Sequence, residues 1–124
     1  MRILVADDEE AIRSTLEMIL KSSGFEVDFA ANGEETLKKI TSELYDLLLL
    51  DIVMPKIDGY VVLQQVRKIY PGLPVVFITA YGEAEKIEES IGQYKLTSVI
   101  EKPFTPREVL EVVDRAIRSK KVQD

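Results

Sequence analysis

Histidine and cysteine are both missing from this sequence of 124 residues. The lack of cysteine excludes disulfides, thiolate metal sites, iron–sulfur clusters and a cysteine nucleophile. The lack of histidine removes the commonest general base and metal ligand. Any metal must therefore be a hard cation held by oxygen, and any chemistry must run on carboxylates, hydroxyls and amines. Long apolar runs are also lacking: the longest is four residues, as at Leu47-Leu48-Leu49-Leu50, against the ~20 a membrane span requires. Met1-Arg2 is followed by only four apolar residues before Asp7-Asp8, too few for a signal-peptide core. A cytoplasmic location with no membrane contact is expected. Positive charge is in deficit, with 16 Lys/Arg against 22 Asp/Glu and a net charge of −6. That balance argues against direct nucleic-acid binding, which needs a cationic surface. Glycine and proline, 6 and 5 residues, are too few for a low-complexity linker.

What is present is a globular pattern: 46% hydrophobic and 31% charged residues, in a length suited to one domain. Short apolar runs recur at nearly even intervals: Ile3–Ala6, Val27–Ala30, Leu47–Leu50, Val75–Ile78 and Ser98–Ile100. The first, third and fourth lack polar alternation, as expected of strands buried on both faces of a parallel sheet. The second carries Asp28 and reads as an edge strand. Between the runs lie stripes of helical period: Ile12, Leu16, Ile19 and Leu20; Leu37, Ile40 and Leu44; Leu63, Val66 and Tyr70; and Val109, Leu110, Val113, Ala116 and Ile117. Thr105-Pro106 supplies an N-cap and first-turn proline for the last of these. A weaker helix, from Glu83 to about Ile91, offers only Ala84, Ile87 and Ile91. Ser23-Gly24, Asn32-Gly33, Asp58-Gly59 and Pro71-Gly72 read as turns. The result is an α/β domain of five βα units, a parallel sheet with helices on both faces.

Ligands of doubly wound sheets bind outside the carboxyl ends of the strands. There the first strand delivers Asp7 and Asp8, the third Asp51, the fourth Thr79 and the fifth Lys102. Each alone has an ordinary explanation: Asp7 and Asp8 as acidic helix caps, Asp51 as the start of a loop, Thr79 as a strand residue, Lys102 as a surface lysine. Together they form a cluster on one edge. Two carboxylates ~5 Å apart repel by roughly 3 kcal/mol at an effective dielectric of ~20. Three need a cation, and Lys102 supplies one positive charge, which is not enough. A divalent ion with oxygen ligands, Mg²⁺, completes the set. Such a site attracts phosphate, with Thr79 and Lys102 as donors to phosphoryl oxygens and one carboxylate available as nucleophile.

Asp7-Asp8, the segment Leu49-Leu50-Asp51-Ile52-Val53-Met54-Pro55-Lys56-Ile57-Asp58-Gly59, Thr79-Ala80 and Lys102-Pro103-Phe104 resemble the receiver domain of bacterial two-component response regulators. The resemblance runs from about Arg2 to Ser119. It implies a flavodoxin-like (βα)5 fold with strand order 2-1-3-4-5, a receiver at 1–119, and a tail or linker from 120. It implies that Asp51 is the phosphoacceptor, supplied by a phosphohistidine on a sensor histidine kinase or a histidine phosphotransfer protein, or by an acyl phosphate. Asp8 and Asp51 would bind Mg²⁺ by carboxylate, Asp7 largely through water, and Val53 by its backbone carbonyl. Thr79 would hydrogen-bond the phosphoryl group and Lys102 would pair with it, aimed inward by a cis Lys102-Pro103 bond. Ala80 would leave the approach open.

The chain departs from the family pattern at Val99, where receivers carry an aromatic residue, and at Lys95-Leu96-Thr97, where they carry a Gly-Ala pair. Val53 and Tyr81 are placed to shield a phosphoryl group from water and slow its hydrolysis. The implied protein is a signalling switch rather than an enzyme in the ordinary sense, acting on an effector or output domain through the fourth predicted helix, fifth strand and last helix. It is either stand-alone or the receiver of a DNA-binding regulator. A flavodoxin would need a Ser/Thr/Gly-rich loop where Asp7-Asp8-Glu9-Glu10 stands, and a haloacid dehalogenase-type phosphatase would need Asp-x-Asp there. A phosphorylation-independent pseudo-receiver scaffold would not need the complete acidic, Thr and Lys set.

Overall fold

The apolar runs without alternation form the centre of the sheet. The computed structural model describes residues 1–80, 82–84, 87 and 97–123, with side chains to 119. Its elements are β1 (Arg2–Ala6), α1 (Glu10–Ser22), β2 (Glu26–Ala30), α2 (Gly33–Ser42), β3 (Leu47–Asp51), α3 (Gly59–Ile69), β4 (Val75–Thr79), β5 (Ser98–Glu101) and α4 (Pro106–Gln123). The strands run parallel in the order β2-β1-β3-β4-β5. This is the doubly wound, flavodoxin-like arrangement expected, with β2 and its Asp28 at an edge. α4 continues to Gln123 without a break near residue 119.

Alternate residues of each strand feed two cores. Leu4, Ala6, Leu48, Leu50, Val75 and Phe77 pack with Ile40 of α2 and Val62, Leu63 and Val66 of α3. Ile3, Val5, Leu47, Leu49, Val76 and Ile78 pack with Leu16, Ile19 and Leu20 of α1 and Val109, Val113, Ala116 and Ile117 of α4. Both faces of the sheet are thus covered, which is why β1, β3 and β4 read as unbroken apolar runs.

Local chemistry sets the helix ends. Thr105 and Glu108 form a reciprocal capping box: the Glu108 N–H donates to Thr105 Oγ1 at 3.1 Å, and the Thr105 N–H to Glu108 Oε1 at 3.4 Å. Asn32 and Asp58, expected in turns, are the N-caps of α2 and α3, accepting from the N–H groups of Glu35 and Val61. One expected stripe is shorter than its spacing implied. α2 ends at Ser42 and Glu43 is extended, so Leu44 leaves the helical period and is 77% exposed, while Tyr45 takes the buried place. In the fourth predicted helix, Ala84 and Ile87 are helical and Ile87 is buried. The rest of Glu85–Ile91, together with Tyr81, Lys95 and Leu96, lies outside the described residues.

Gly59 opens α3 against the end of β3, and its N–H donates to the Ile52 carbonyl at 2.7 Å. A Cβ there would come within 2.6 Å of Ile52 Cα and 2.9 Å of the Asp51 carbonyl oxygen. Both are backbone atoms that cannot swing aside. Gly59→Ala is therefore expected to lower the unfolding free energy by about 1–3 kcal/mol in urea denaturation. Alanine's advantage in helix propensity, ~1 kcal/mol at most, does not offset that.

Candidate functional site

β1, β3, β4 and β5 end along one edge of the sheet and bring five side chains together. Asp7 follows β1 directly; it is completely buried, and its Oδ1 accepts from the Glu9 N–H at 2.9 Å. Arg13 of α1 donates from Nη1 to the Asp7 carbonyl at 2.8 Å, fixing the loop from the other side. Asp8 is exposed at the mouth. Asp51 closes β3, buried, with its Oδ1 accepting from the Val53 N–H at 3.1 Å. Carboxylate oxygens of Asp7, Asp8 and Asp51 lie within 4.8 Å of one another.

The opposite wall comes from β4 and β5. Thr79, buried, pairs with Glu101 in the ladder, and the next residue's N–H, that of Lys102, donates to the Thr79 carbonyl at 2.8 Å. The Lys102-Pro103 peptide is cis, as expected. Lys102 Nζ lies 3.4 Å from Asp7 Oδ2, 3.5 Å from Asp51 Oδ2 and 3.1 Å from Glu9 Oε1. The cavity so bounded has a volume of about 630 Å³; its lining includes Asp8, Asp51, Val53, Thr79, Ala80 and Lys102. The Val53 side chain is 79% exposed at its rim.

The electrostatics are those of an acidic pocket short of positive charge. Burial, and then the neighbouring Asp7 carboxylate, push Asp51 up to about 6, against the opposing pull of Lys102 and the Val53 N–H. Burial draws Lys102 down, but the carboxylates of Asp51, Asp7 and Glu9 more than offset it and hold the ammonium above its usual range. Asp7 Oδ2 is buried with no hydrogen-bond partner. A buried carboxylate oxygen is rarely left so. An all-oxygen donor set with one such atom and three carboxylates close together fits a hard divalent cation.

Asp7, Asp8, Asp51, Thr79 and Lys102 thus come to one place, with Val53 at its edge. Three residues of the site were not singled out from sequence. Among the described residues Glu9 is the nearest carboxylate to Lys102, and the acidic run Asp7–Glu10 was the signal that held it. Arg13 buttresses the loop after β1. Tyr60, beside Gly59, lines the cavity and meets Phe77 edge-on, ring centroids 5.3 Å apart at 87°. Val99 pairs with Phe77 and packs on the same core, and among the described residues the aromatic contact at the site is between Tyr60 of α3 and Phe77 of β4.

Known proteins are similar to this chain in sequence and in fold. PhoP of Bacillus subtilis (strain 168), the alkaline phosphatase synthesis transcriptional regulatory protein, is 38% identical over 122 residues, which is 98% of this chain and 50% of that protein. The CheY-like response regulator receiver domain protein of Methanospirillum hungatei JF-1 superposes with a TM-score of 0.91 at 32% identity, covering 99% of this chain and 98% of that one. TrrA of Thermotoga maritima, a response regulator protein whose structure was solved in complex with Mg(2+)-BeF, superposes with a TM-score of 0.83 at 39% identity, covering 93% and 97%. The chain spans about half the length of the curated relatives it matches. The family model of the response regulator receiver domain matches residues 3–114, a span that runs from β1 into α4 and contains every residue of the acidic pocket; the chain belongs to the response regulator receiver domain family.

Proposed function

We propose that this receiver takes a phosphoryl group onto Asp51 in a Mg²⁺-dependent transfer from the phosphohistidine of a sensor histidine kinase or histidine phosphotransfer protein, or from a small acyl phosphate. The observation that carries the reading is three carboxylates within 4.8 Å of one another, two of which, Asp7 and Asp51, share Lys102 as counter-ion. An Asp51 oxygen attacks phosphorus; the new O–P bond forms as the P–N bond to histidine, or the P–O bond of an acyl phosphate, breaks. With no histidine among these 124 residues, the donor lies outside them. Asp8 and Asp51 would hold Mg²⁺ by carboxylate, Asp7 largely through water, and Val53 by its backbone carbonyl. Bound there, such an ion would offset the charge that crowds the pocket during transfer. Thr79 donates its hydroxyl to a phosphoryl oxygen, Lys102 pairs with another, and Ala80 leaves the approach open.

The domain serves as a cytoplasmic signalling switch that catalyses its own phosphorylation and dephosphorylation and binds neither nucleic acid nor membrane itself. Among the described residues no helix is long and apolar enough to cross a membrane. The unit is residues 1–119, with 120–124 a tail or linker. The relatives' transcriptional role favours a DNA-binding output reached through the face of the fourth predicted helix, β5 and α4. The coding sequence beyond residue 124 tests that output directly.

Incubation with acetyl phosphate and Mg²⁺ should add one phosphoryl group by intact mass, and chelation with EDTA should prevent it. A label that persists in Asp51→Asn overturns the assignment. Shielding by Val53 at the rim gives a further expectation: Val53→Ala shortens the lifetime of the phosphorylated form, measured by the decay of that mass. A lengthened lifetime counts against shielding.

A further inference from the structure

Lys102 meets its best partner outside the acidic trio. It donates a hydrogen bond to Glu9 Oε1 at 3.1 Å, whereas it sits 3.4 Å and 3.5 Å from the buried oxygens of Asp7 and Asp51. The Asp7 oxygen facing it has no hydrogen-bond partner. The ammonium is therefore drawn toward the pocket mouth by a carboxylate that does not belong to the Asp7, Asp8 and Asp51 cluster. Glu9 is held for this task. Its own N–H is anchored on Asp7 Oδ1, and it occupies the N-cap position of α1 in extended conformation with no side-chain capping bond. The side chain that could have capped the helix reaches across the cavity to Lys102 instead.

We propose that Glu9 is a positioning residue that holds Lys102 in a waiting place and competes with the phosphoryl group for it. This rests on the phosphoacceptor reading of Asp51. When an anion arrives on Asp51, Lys102 must exchange the Glu9 carboxylate for a phosphoryl oxygen. Glu9 thereby lowers the affinity of the site for the phosphorylated arrangement. The Glu9 side chain is 59% exposed, so the competition has the size of an exposed ion pair, about two- to five-fold in an equilibrium constant.

The test uses the full chain with beryllofluoride and Mg²⁺ as a stable mimic of the aspartyl phosphate. Glu9→Gln should tighten beryllofluoride binding by about two- to five-fold. Glu9→Asp separates contact from charge, because it keeps the negative charge at an N-cap position that suits aspartate but is one methylene too short to reach Lys102. If Glu9 acts through Lys102, Glu9→Asp tightens binding as Glu9→Gln does. In the metal-free protein the Lys102 ¹³Cε resonance should move in both variants. Binding in Glu9→Asp equal to the parent, or an unmoved Lys102 resonance, overturns the proposal. These failures are distinct from failure of the phosphoacceptor reading, which shows as acetyl phosphate labelling that survives in Asp51→Asn.

Discussion

Asparagine at position 51 will abolish labelling by acetyl phosphate and, in EDTA, make the protein more stable at neutral pH by about 3 kcal/mol. The stability effect follows from the raised pKa. The Asp51 carboxyl goes from 3.8 to about 6 on folding, first because it is buried and next because Asp7 stands beside it. A carboxyl with a higher pKa in the folded state holds its proton more tightly there than in the unfolded chain. Its penalty is therefore absent below the unfolded value of 3.8, grows as pH rises to about 6, and is constant beyond. About two pKa units correspond to about 3 kcal/mol. Urea titrations of the metal-free proteins should separate at pH 8 and coincide near pH 3. An advantage for Asp51→Asn that persists undiminished at pH 3 would mean that the gain is not electrostatic. Mg²⁺ should narrow the gap: at 100 times its Kd it stabilises the parent by about 2.7 kcal/mol, and the variant, with one ligand weakened, by less.

Removing the lysine also impairs labelling but acts in the opposite sense on stability. Lys102→Met keeps the length and apolar stem but deletes the charge shared by Asp7, Asp51 and Glu9. The initial rate of labelling by acetyl phosphate with Mg²⁺ is expected to fall by about 10²–10³, the usual loss for a preorganised donor at a developing anion. In EDTA the variant should also unfold at lower urea, because Asp7 is completely buried and loses its counter-ion. Lys102→Arg should restore little of the rate, since a planar fork does not occupy the place of a compact ammonium. A labelling rate within about three-fold of the parent would remove Lys102 from the transfer, given the much larger loss expected.

Most of this site is readable from sequence because the fold converts strand ends into neighbours. Leu47–Leu50 and Val75–Ile78 announce buried parallel strands, so Asp51 and Thr79 must emerge at the same edge, and Lys102 follows from β5. Less legible are features decided by loop geometry. Asn32-Gly33 and Asp58-Gly59 have turn chemistry, and the same side-chain oxygens served as helix caps once the following residues coiled. Leu44 kept helical spacing on paper, but Glu43 had already straightened the backbone. The division of labour among Asp7, Asp8 and Glu9 was hidden for the same reason. Three adjacent acids have similar sequence signals, yet the loop buries one, exposes the second and turns the third across the cavity.

The single backbone bond from the Lys102 N–H to the Thr79 carbonyl makes an amide proton into a gauge of the site. It joins the two residues on the wall facing the carboxylates through a rung at the end of the β4–β5 ladder, where strands fray most readily. Its hydrogen-exchange rate should report how tightly that rung is shut. Thr79 and Lys102 are mechanically one unit only while the rung holds, so any event that slows the exchange of that proton draws both residues into register together.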